Sequence, residues 1–359
     1  MPSNNLPTPY YAVYEKRLRA NLDLIADVAR RSGAEIIMAF KANAFWPSFP
    51  IFREYGVKCT ASSLNELQLG VEELHTRVHS YCPAYTPLTI GKFLEGSSHI
   101  TFNSVSQWER FKDDVARYNA AHPGLEVSPG LRVNPRCSVI ETDIYNPAMP
   151  GSRFGVTADK LGLQLPEGIE GLHFHALCES SSHDLEKVLG AFEKSFGQYL
   201  PQVKWVNMGG GHLMTRKGYD TDHLVELIKA FRSRYPWLKI ILEPGSAFTW
   251  RTGDLIASVV DIVENDSIKT AILDVSFACH MPDTLEMPYK PAVTESIPDS
   301  EAEKMEKGAY HTYRFGGNSC LSGDFMGEWH FREPLKIGDR LTLEDMNHYT
   351  TVKTNMFNG

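Results

Sequence analysis

Residues 203–211 read VKWVNMGGG, a β-prone run that stops in three consecutive glycines. A short run of this kind, closed by an open turn, is the front half of a βα unit. A helical stretch follows at Asp222–Tyr235, then a second run, LKIILEPG, at 238–245. Upstream stands GLHFHAL at 171–177, with a helical stretch at Leu185–Tyr199 after it. Further toward the N-terminus lie GLRVN (130–134), ITFNS (100–104), VHSYCP (78–83), VKCTAS (57–62) and EIIMAF (35–40). Helical stretches at Leu64–Leu74 and Ser106–Tyr118 separate some of them. Eight strands alternating with helices are what a closed parallel (β/α)8 barrel requires.

After Gly245 the texture changes. DLIASVVDIV (254–263), KTAILDV (269–275) and RLTL (340–343) read as strands with few helices between them, punctuated by Pro282, Pro288, Pro291 and Pro334. The expected architecture is therefore α/β: a barrel over 15–250 and a C-terminal β-rich domain over 251–359. That domain also takes in about residues 1–14, with Tyr10–Tyr14 as a candidate strand. The charged stretch Glu295–Lys307 reads as an exposed loop or short helix.

The chain has 359 residues, 42% hydrophobic and 22% charged, ordinary values for a soluble globular protein with a sizeable core. Acidic residues outnumber basic ones by 44 to 36, a formal charge of −8, and no Lys/Arg run is present. This argues against a nucleic-acid partner and gives weak support to a cationic substrate. Six scattered cysteines form neither a CxxC pair nor a dense framework, so a reduced, intracellular protein is expected. The opening MPSNNLPTPYY lacks a signal-peptide pattern, and no apolar run approaches the roughly 20 residues of a membrane span. Cytoplasm is the expected location, with no membrane partner.

In an α/β barrel the chemistry gathers where strands end. The first strand here delivers Lys41, the fifth Arg132 and the sixth His175. The seventh runs into Gly209, Gly210 and Gly211, and the eighth ends in Glu243-Pro244-Gly245. Pyridoxal 5'-phosphate (PLP) would give each a task. A partly desolvated amine at Lys41 can form an imine with an aldehyde, although a rim lysine covering apolar surface with its stem is the ordinary alternative. The glycines let backbone N–H groups approach a phosphate, or simply make a flexible turn. Glu243 can keep a pyridine nitrogen protonated, or hydrogen-bond its own turn. His173 and His175 point to one side of their strand. They can stack on a ring, pack inertly or share a metal. Arg132 can bind cofactor or substrate oxygens, or close a strand-end salt bridge. Cys320 and Asp324 lie in GGNSCLSGD (316–324), where a thiol can act as proton donor or stay inert.

Taken together these pieces resemble the fold-type III PLP decarboxylases, the ornithine, diaminopimelate and arginine decarboxylase superfamily, whose barrel is alanine-racemase-like. The resemblance runs from TPYYAVYEKRLRANL through FKAN, GLRVNP, the glycine triplet and EPG to HYTTVKTNMFNG. It implies that Lys41 anchors the cofactor, His175 stacks on its ring, the glycines and Tyr349 hold its phosphate, and Glu243 meets its pyridine nitrogen. It also implies that Cys320 and Asp324 reach into a partner subunit's site, making the enzyme a homodimer.

HFHALCES (173–180), CHMPD (279–283), EMPYKP (286–291) and GGNSCLSGD resemble the carboxynorspermidine and carboxyspermidine branch of that superfamily. The implied substrate is a carboxylated polyamine whose distal amines need carboxylates, with Asp274, Glu179, Asp283 and Glu286 as candidates and Asp324 beside them. Two positions depart from the wider pattern. Ala176-Leu177 follows the stacking histidine where glycine-serine is usual, and Ser246 follows EPG where arginine is common. The first points away from ornithine decarboxylase proper. Competing readings are a non-catalytic PLP-binding relative, a metal-dependent hydrolase using His173 and His175, and an amino-acid racemase. A decarboxylase of another basic amino acid also stays open. No bound metal is expected.

Overall fold

The strand nearest the N-terminus of the barrel decides whether the sheet can close, because it must pair on both sides. In the computed structural model, which describes residues 6–140, 143–287, 289–306 and 308–358, it does so in two halves. Glu35–Ile36 pairs in parallel with Lys239–Leu242, and Met38–Ala39 pairs in parallel with Cys59–Ala61. The break at Ile37 is bridged by Ile37 N donating to Leu242 O (2.9 Å) and Met38 N donating to Lys58 O (2.8 Å). Between those edges run Val78–Tyr81, Ser97–Phe102, Ser128–Arg132, Gly171–His173 and Trp205–Asn207, all parallel. All eight expected runs are thus barrel strands, with ends shifted by a few residues. The largest shift is in the sixth, which leaves the ladder near His173 instead of reaching Leu177; Phe174 N still donates to Asn207 O (2.9 Å).

Polar caps start the helices that follow. Ser63 Oγ accepts from Glu66 N, Ser104 Oγ from Gln107 N and Asp220 Oδ1 from His223 N. Ser181 and Asp184 form a reciprocal capping box. Each cap satisfies an orphan N–H of a first helical turn and so fixes where the loop after a strand ends. The first strand is an exception. It passes into a 3-10 turn, Phe40–Ala42, whose Phe40 and Ala42 are buried, and this turn carries Lys41.

The barrel interior is packed solid at its lower end. The Trp205 indole fills it together with Ile37 and Ile241. Room for the indole comes from two neighbouring strands: a Cβ on Gly130 would lie 2.2 Å from its ring, and one on Gly171 would lie 2.0 Å away. Trp205 Nε1 donates to Ser128 Oγ (2.9 Å), which locks the ring in that position. Gly171→Ala is therefore expected to overpack the floor and cost roughly 1–3 kcal/mol. A melting temperature equal to that of the parent would contradict this.

Below the indole, Glu35 accepts from Lys58 and from Lys239, each at 2.6 Å. Two stacked histidines, His79 and His99, lie nearby with ring centroids 3.9 Å apart. Burial, then the neighbouring cations, holds both neutral: His99 falls to about 4 and His79 well below its ordinary value. Groups facing the pair include Glu35, Glu170, Lys58, Lys239 and His173. As pH falls below about 6.5 the unfolded chain takes up protons first, so stability is lost toward pH 4. Melting temperature is expected to fall across that window, and less steeply in His99→Gln, which cannot take a proton. Parallel curves would contradict it.

The barrel belongs to a compact unit spanning Arg19–Phe248. The other unit combines Met1–Leu18 with Thr249–Gly359. Its long strand Gly253–Asn265 pairs antiparallel with Tyr10–Val13, Ile268–Leu273 and Arg340–Leu343. Two strands not expected from the sequence complete the sheet: His311–Gly316, parallel to Ile268–Leu273, and Phe325–Phe331 beside it. Its core includes Leu255, Leu273, Leu343 and a stacked Phe315–Trp329 pair with centroids 4.1 Å apart. The charged stretch after Glu295 contains the short helix Asp299–Ala302, and Ile297 and Ala302 turn inward to buried positions. Lys307 of that stretch, Pro288 of EMPYKP and the terminal Gly359 lie outside the described residues. Among the described residues no helix is long and apolar enough to cross a membrane.

Candidate active site

Strand alternation places every second residue inside the barrel. Above the floor of Trp205 this rule brings Arg132, His173, Asn207 and Glu243 together, with Lys41 and His175 just beyond the strand ends. Lys41 Nζ lies 3.3 Å from His175 Nε2. Lys41 is exposed as a residue, yet protein atoms crowd its terminal nitrogen, and the crowding governs its proton affinity. Burial first, and the Arg132 charge second, push the Lys41 pKa down, against the pull of Glu243.

His175 Nδ1 accepts from Gly210 N at 2.9 Å. Burial and the nearby Lys41 and Arg132 charges drive its pKa well below the ordinary histidine value. Arg132 is buried, with its guanidinium carbon 4.5 Å from the ring centres of both Tyr81 and Phe154. It donates to His175 O (3.3 Å). The cation therefore sits between aromatic faces, a geometry that favours a delocalised guanidinium over an ammonium.

Glu243 is buried and its Oε1 accepts from Asn207 Nδ2 (2.7 Å). Burial raises its pKa, while Asn207, Lys41, Thr60 and Arg132 draw it back down. His173 Nε2 lies 3.7 Å from Glu243 Oε2. Neither ring nitrogen of His173 has a hydrogen-bond partner among the described residues, although the side chain is buried. Such orphaned groups mark a place where a ligand completes the bonding.

The glycine triplet is demanded by close backbone approach. Gly209 and Gly211 have φ of +70° and +92°, and a Cβ on any of the three would lie about 2.5–2.6 Å from the backbone of Phe174, Glu243 or Leu177. Gly209 N donates to Asn207 Oδ1 (2.9 Å) and Gly210 N to His175 Nδ1. Asn207 thus ties the turn to Glu243, a role the sequence reading missed although strand alternation with Trp205 signals its direction.

The remaining candidates sit mostly in the other unit. Cys320 is exposed, and its N–H donates to Asn358 Oδ1 (2.9 Å). Asp324 is buried and accepts from Ala278 N (3.0 Å) and Ser319 Oγ (2.6 Å), so its carboxylate braces the loop carrying Cys320. Asp274 Oδ1 accepts from Ser258 N (2.8 Å). Asp283 and Glu286 both pair with Lys353. Tyr349 is half-buried in the 3-10 turn Tyr349–Thr351. Glu179 belongs to the barrel unit and adopts φ +47°, with its carbonyl accepting from Arg216 (3.3 Å). Among the described residues the grouping that could hold an ion is His183, Glu186 and His223, on helices outside the barrel, and it includes neither His173 nor His175.

The donor set fits PLP. It offers an amine for the aldehyde, a buried carboxylate for the ring nitrogen, a turn without Cβ atoms and a buried histidine without a hydrogen-bond partner among the described residues.

The comparisons agree with this chemistry. The family model described as pyridoxal-dependent decarboxylase, C-terminal sheet domain, matches residues 13–347. A carboxyaminopropylagmatine decarboxylase of Synechocystis is 45% identical over 99% of this chain and 88% of its own length. A carboxynorspermidine/carboxyspermidine decarboxylase of Campylobacter jejuni is 42% identical over 99% of this chain and 91% of its own. The crystal structure of the Campylobacter jejuni carboxynorspermidine decarboxylase, complexed with norspermidine, superposes with a TM-score of 0.85 at 42% identity, covering 99% of this chain and 92% of that one. Likeness of this extent and identity has one meaning: the chain belongs to the pyridoxal-dependent decarboxylase family.

Proposed function

We propose that this chain removes the α-carboxylate of a carboxylated polyamine, releasing CO₂ and a polyamine, with PLP as cofactor. The observation that carries the reading is the pairing, in one barrel mouth, of a crowded amine at Lys41 with a buried carboxylate at Glu243. When bound, PLP supplies an electron-poor ring that accepts the electron pair left behind by CO₂.

The residues around it do the positioning. Lys41 anchors the cofactor, Glu243 keeps the ring nitrogen protonated, and His175 lies against the ring face. Arg132 meets cofactor or substrate oxygens. Gly209 and Gly210 spend their N–H groups inside the protein, so their part in phosphate binding is to shape the turn that leads into Gly211. Tyr349 adds a phosphate contact. Cys320 returns a proton to Cα, on a loop that Asp324 stiffens, and both serve the partner's site in a homodimer. Asp274 and Glu179 hold distal cations. Asp283 and Glu286 do so after exchanging their ion pairs with Lys353 for the substrate. Each such charge-assisted bond contributes roughly 1.5–3 kcal/mol. The enzyme works in the cytoplasm.

The relatives' names widen the polyamine set beyond the amine-ended substrates expected from the sequence. One is named for an agmatine derivative, which ends in a planar guanidinium; the other is named for amine-ended polyamines. The 45% relative favours the guanidino substrate as a second reading. The deciding experiment offers the PLP-loaded protein carboxyaminopropylagmatine, carboxynorspermidine, carboxyspermidine, ornithine and diaminopimelate, and measures CO₂ released. Preference for either of the last two would sink the polyamine assignment.

A further inference from the structure

We infer that His175 is a positioning residue that keeps Lys41 as a neutral amine before any cofactor arrives, because the Gly210 N–H fixes the imidazole tautomer.

Gly210 N–H, His175 and Lys41 form a chain of three groups whose protons can be counted. A backbone N–H can only donate, so a nitrogen accepting from Gly210 N at 2.9 Å carries no proton of its own. That nitrogen is His175 Nδ1. A 180° turn of the ring would bring a C–H against the Gly210 N–H, so the orientation is fixed as well. In a neutral imidazole the single N–H must then be on Nε2. Nε2 lies 3.3 Å from Lys41 Nζ. It points a proton at that nitrogen and needs a lone pair to receive it. An ammonium has no lone pair; a neutral amine has one.

Two alternatives fail on the same geometry. A protonated His175 would carry a hydrogen on Nδ1, facing the Gly210 hydrogen. An ammonium at Lys41 donating to Nε2 would require an imidazole with no proton on either nitrogen. The Gly210 contact cannot readily slide away, because the glycine backbone is wedged against Glu243 O, only 2.5 Å from where a Cβ would stand. Surrounding charge is mixed. Arg132 from the fifth strand and the neighbouring His173 and His212 face the site, against Glu243, Cys178 and Glu66 on the Lys41 side. Burial of both groups works in the same direction as the hydrogen bonds.

The use of this arrangement rests on the reading of Lys41 as the cofactor's anchor: only a neutral amine has the lone pair that attacks an aldehyde carbon, with the aldehyde oxygen leaving as water. The protonation state itself does not rest on that reading. The test therefore uses the full-length chain stripped of cofactor, pulse-labelled with acetic anhydride between pH 6 and 10, with Lys41 acetylation read by peptide mass spectrometry. Other lysines of the same sample serve as internal controls. Lys41 is expected to label with a midpoint below that of the control lysines. His175→Phe keeps the apolar surroundings but removes the donor, and is expected to slow labelling at pH 8 by about tenfold, equivalent to one unit of pKa. His175→Gln, whose amide N–H can replace Nε2–H, is expected to recover most of that loss. Nitrogen NMR of the imidazole should show the proton on Nε2. Equal labelling of His175→Phe and parent, or a proton on Nδ1, overturns the inference. Failure of the intact protein to take up pyridoxal phosphate would instead strike at the anchor reading and leave the labelling result standing.

Discussion

Lys41→Ala is expected to abolish the visible absorbance of PLP-loaded protein and to cut turnover by at least about a thousandfold, since in the proposed mechanism it removes the group that anchors the cofactor and moves protons beside it. The fold should survive. Lys41 stands on the 3-10 turn Phe40–Ala42, and that turn is held by its buried neighbours Phe40 and Ala42, not by the lysine stem. Melting temperature should therefore stay close to that of the parent, which separates loss of chemistry from loss of structure. Lys41→Arg is the sharper comparison. It supplies a basic side chain of similar length but cannot give up its proton near neutral pH, so it should be as inactive as alanine. Substantial CO₂ release by either variant, or an unchanged visible spectrum, would remove Lys41 from the centre of the mechanism.

Glu243→Gln is expected to lower kcat by roughly 10²–10³-fold, the usual effect of removing one preorganised electrostatic partner. The glutamine carbonyl can still accept from Asn207 Nδ2, so the tie between the eighth strand and the Gly209 turn is preserved. What is lost is the negative charge that, in the proposed mechanism, favours a protonated ring nitrogen. Glu243→Ala adds a structural cost of about 1–3 kcal/mol, because the buried Asn207 amide then lacks an acceptor. Stopped-flow spectra and steady-state CO₂ release on the two variants, beside thermal melts, separate the contributions. A glutamine variant with parental kcat would show that the carboxylate serves the turn alone.

How far the sequence reveals this protein depends on which physical signal each element leaves. The barrel strands are short apolar runs bounded by turn residues, and the runs at 203–208 and 238–243 announce themselves for that reason. Lys41, Arg132, His175 and Glu243 are legible because a barrel topology turns strand ends into a single neighbourhood. His311–Gly316 and Phe325–Phe331 escape notice because polar and aromatic residues mix in them, and the glycine-rich 316–324 segment between them reads as loop chemistry. Asn207 is hidden for another reason. Within a strand read as apolar it looks incidental, and its bonds to Glu243 and Gly209 exist only once distant segments meet. The acidic candidates Asp283 and Glu286 could be found by charge but not their engagement with Lys353, some seventy positions along the chain. For Asp324, the sequence shows an acid in a glycine-rich turn, whereas its bonds to Ala278 N and Ser319 Oγ exist only in three dimensions.

The indole on two glycines also bears on how such a barrel can diverge. Shrinking Trp205 alone leaves a hole, and enlarging Gly130 or Gly171 alone creates a collision. A lineage can leave this arrangement without passing through a weakened ancestor only by changing partners together. The base is in that sense frozen, and selection for a new substrate must act on the opposite rim, where loops can be exchanged one residue at a time.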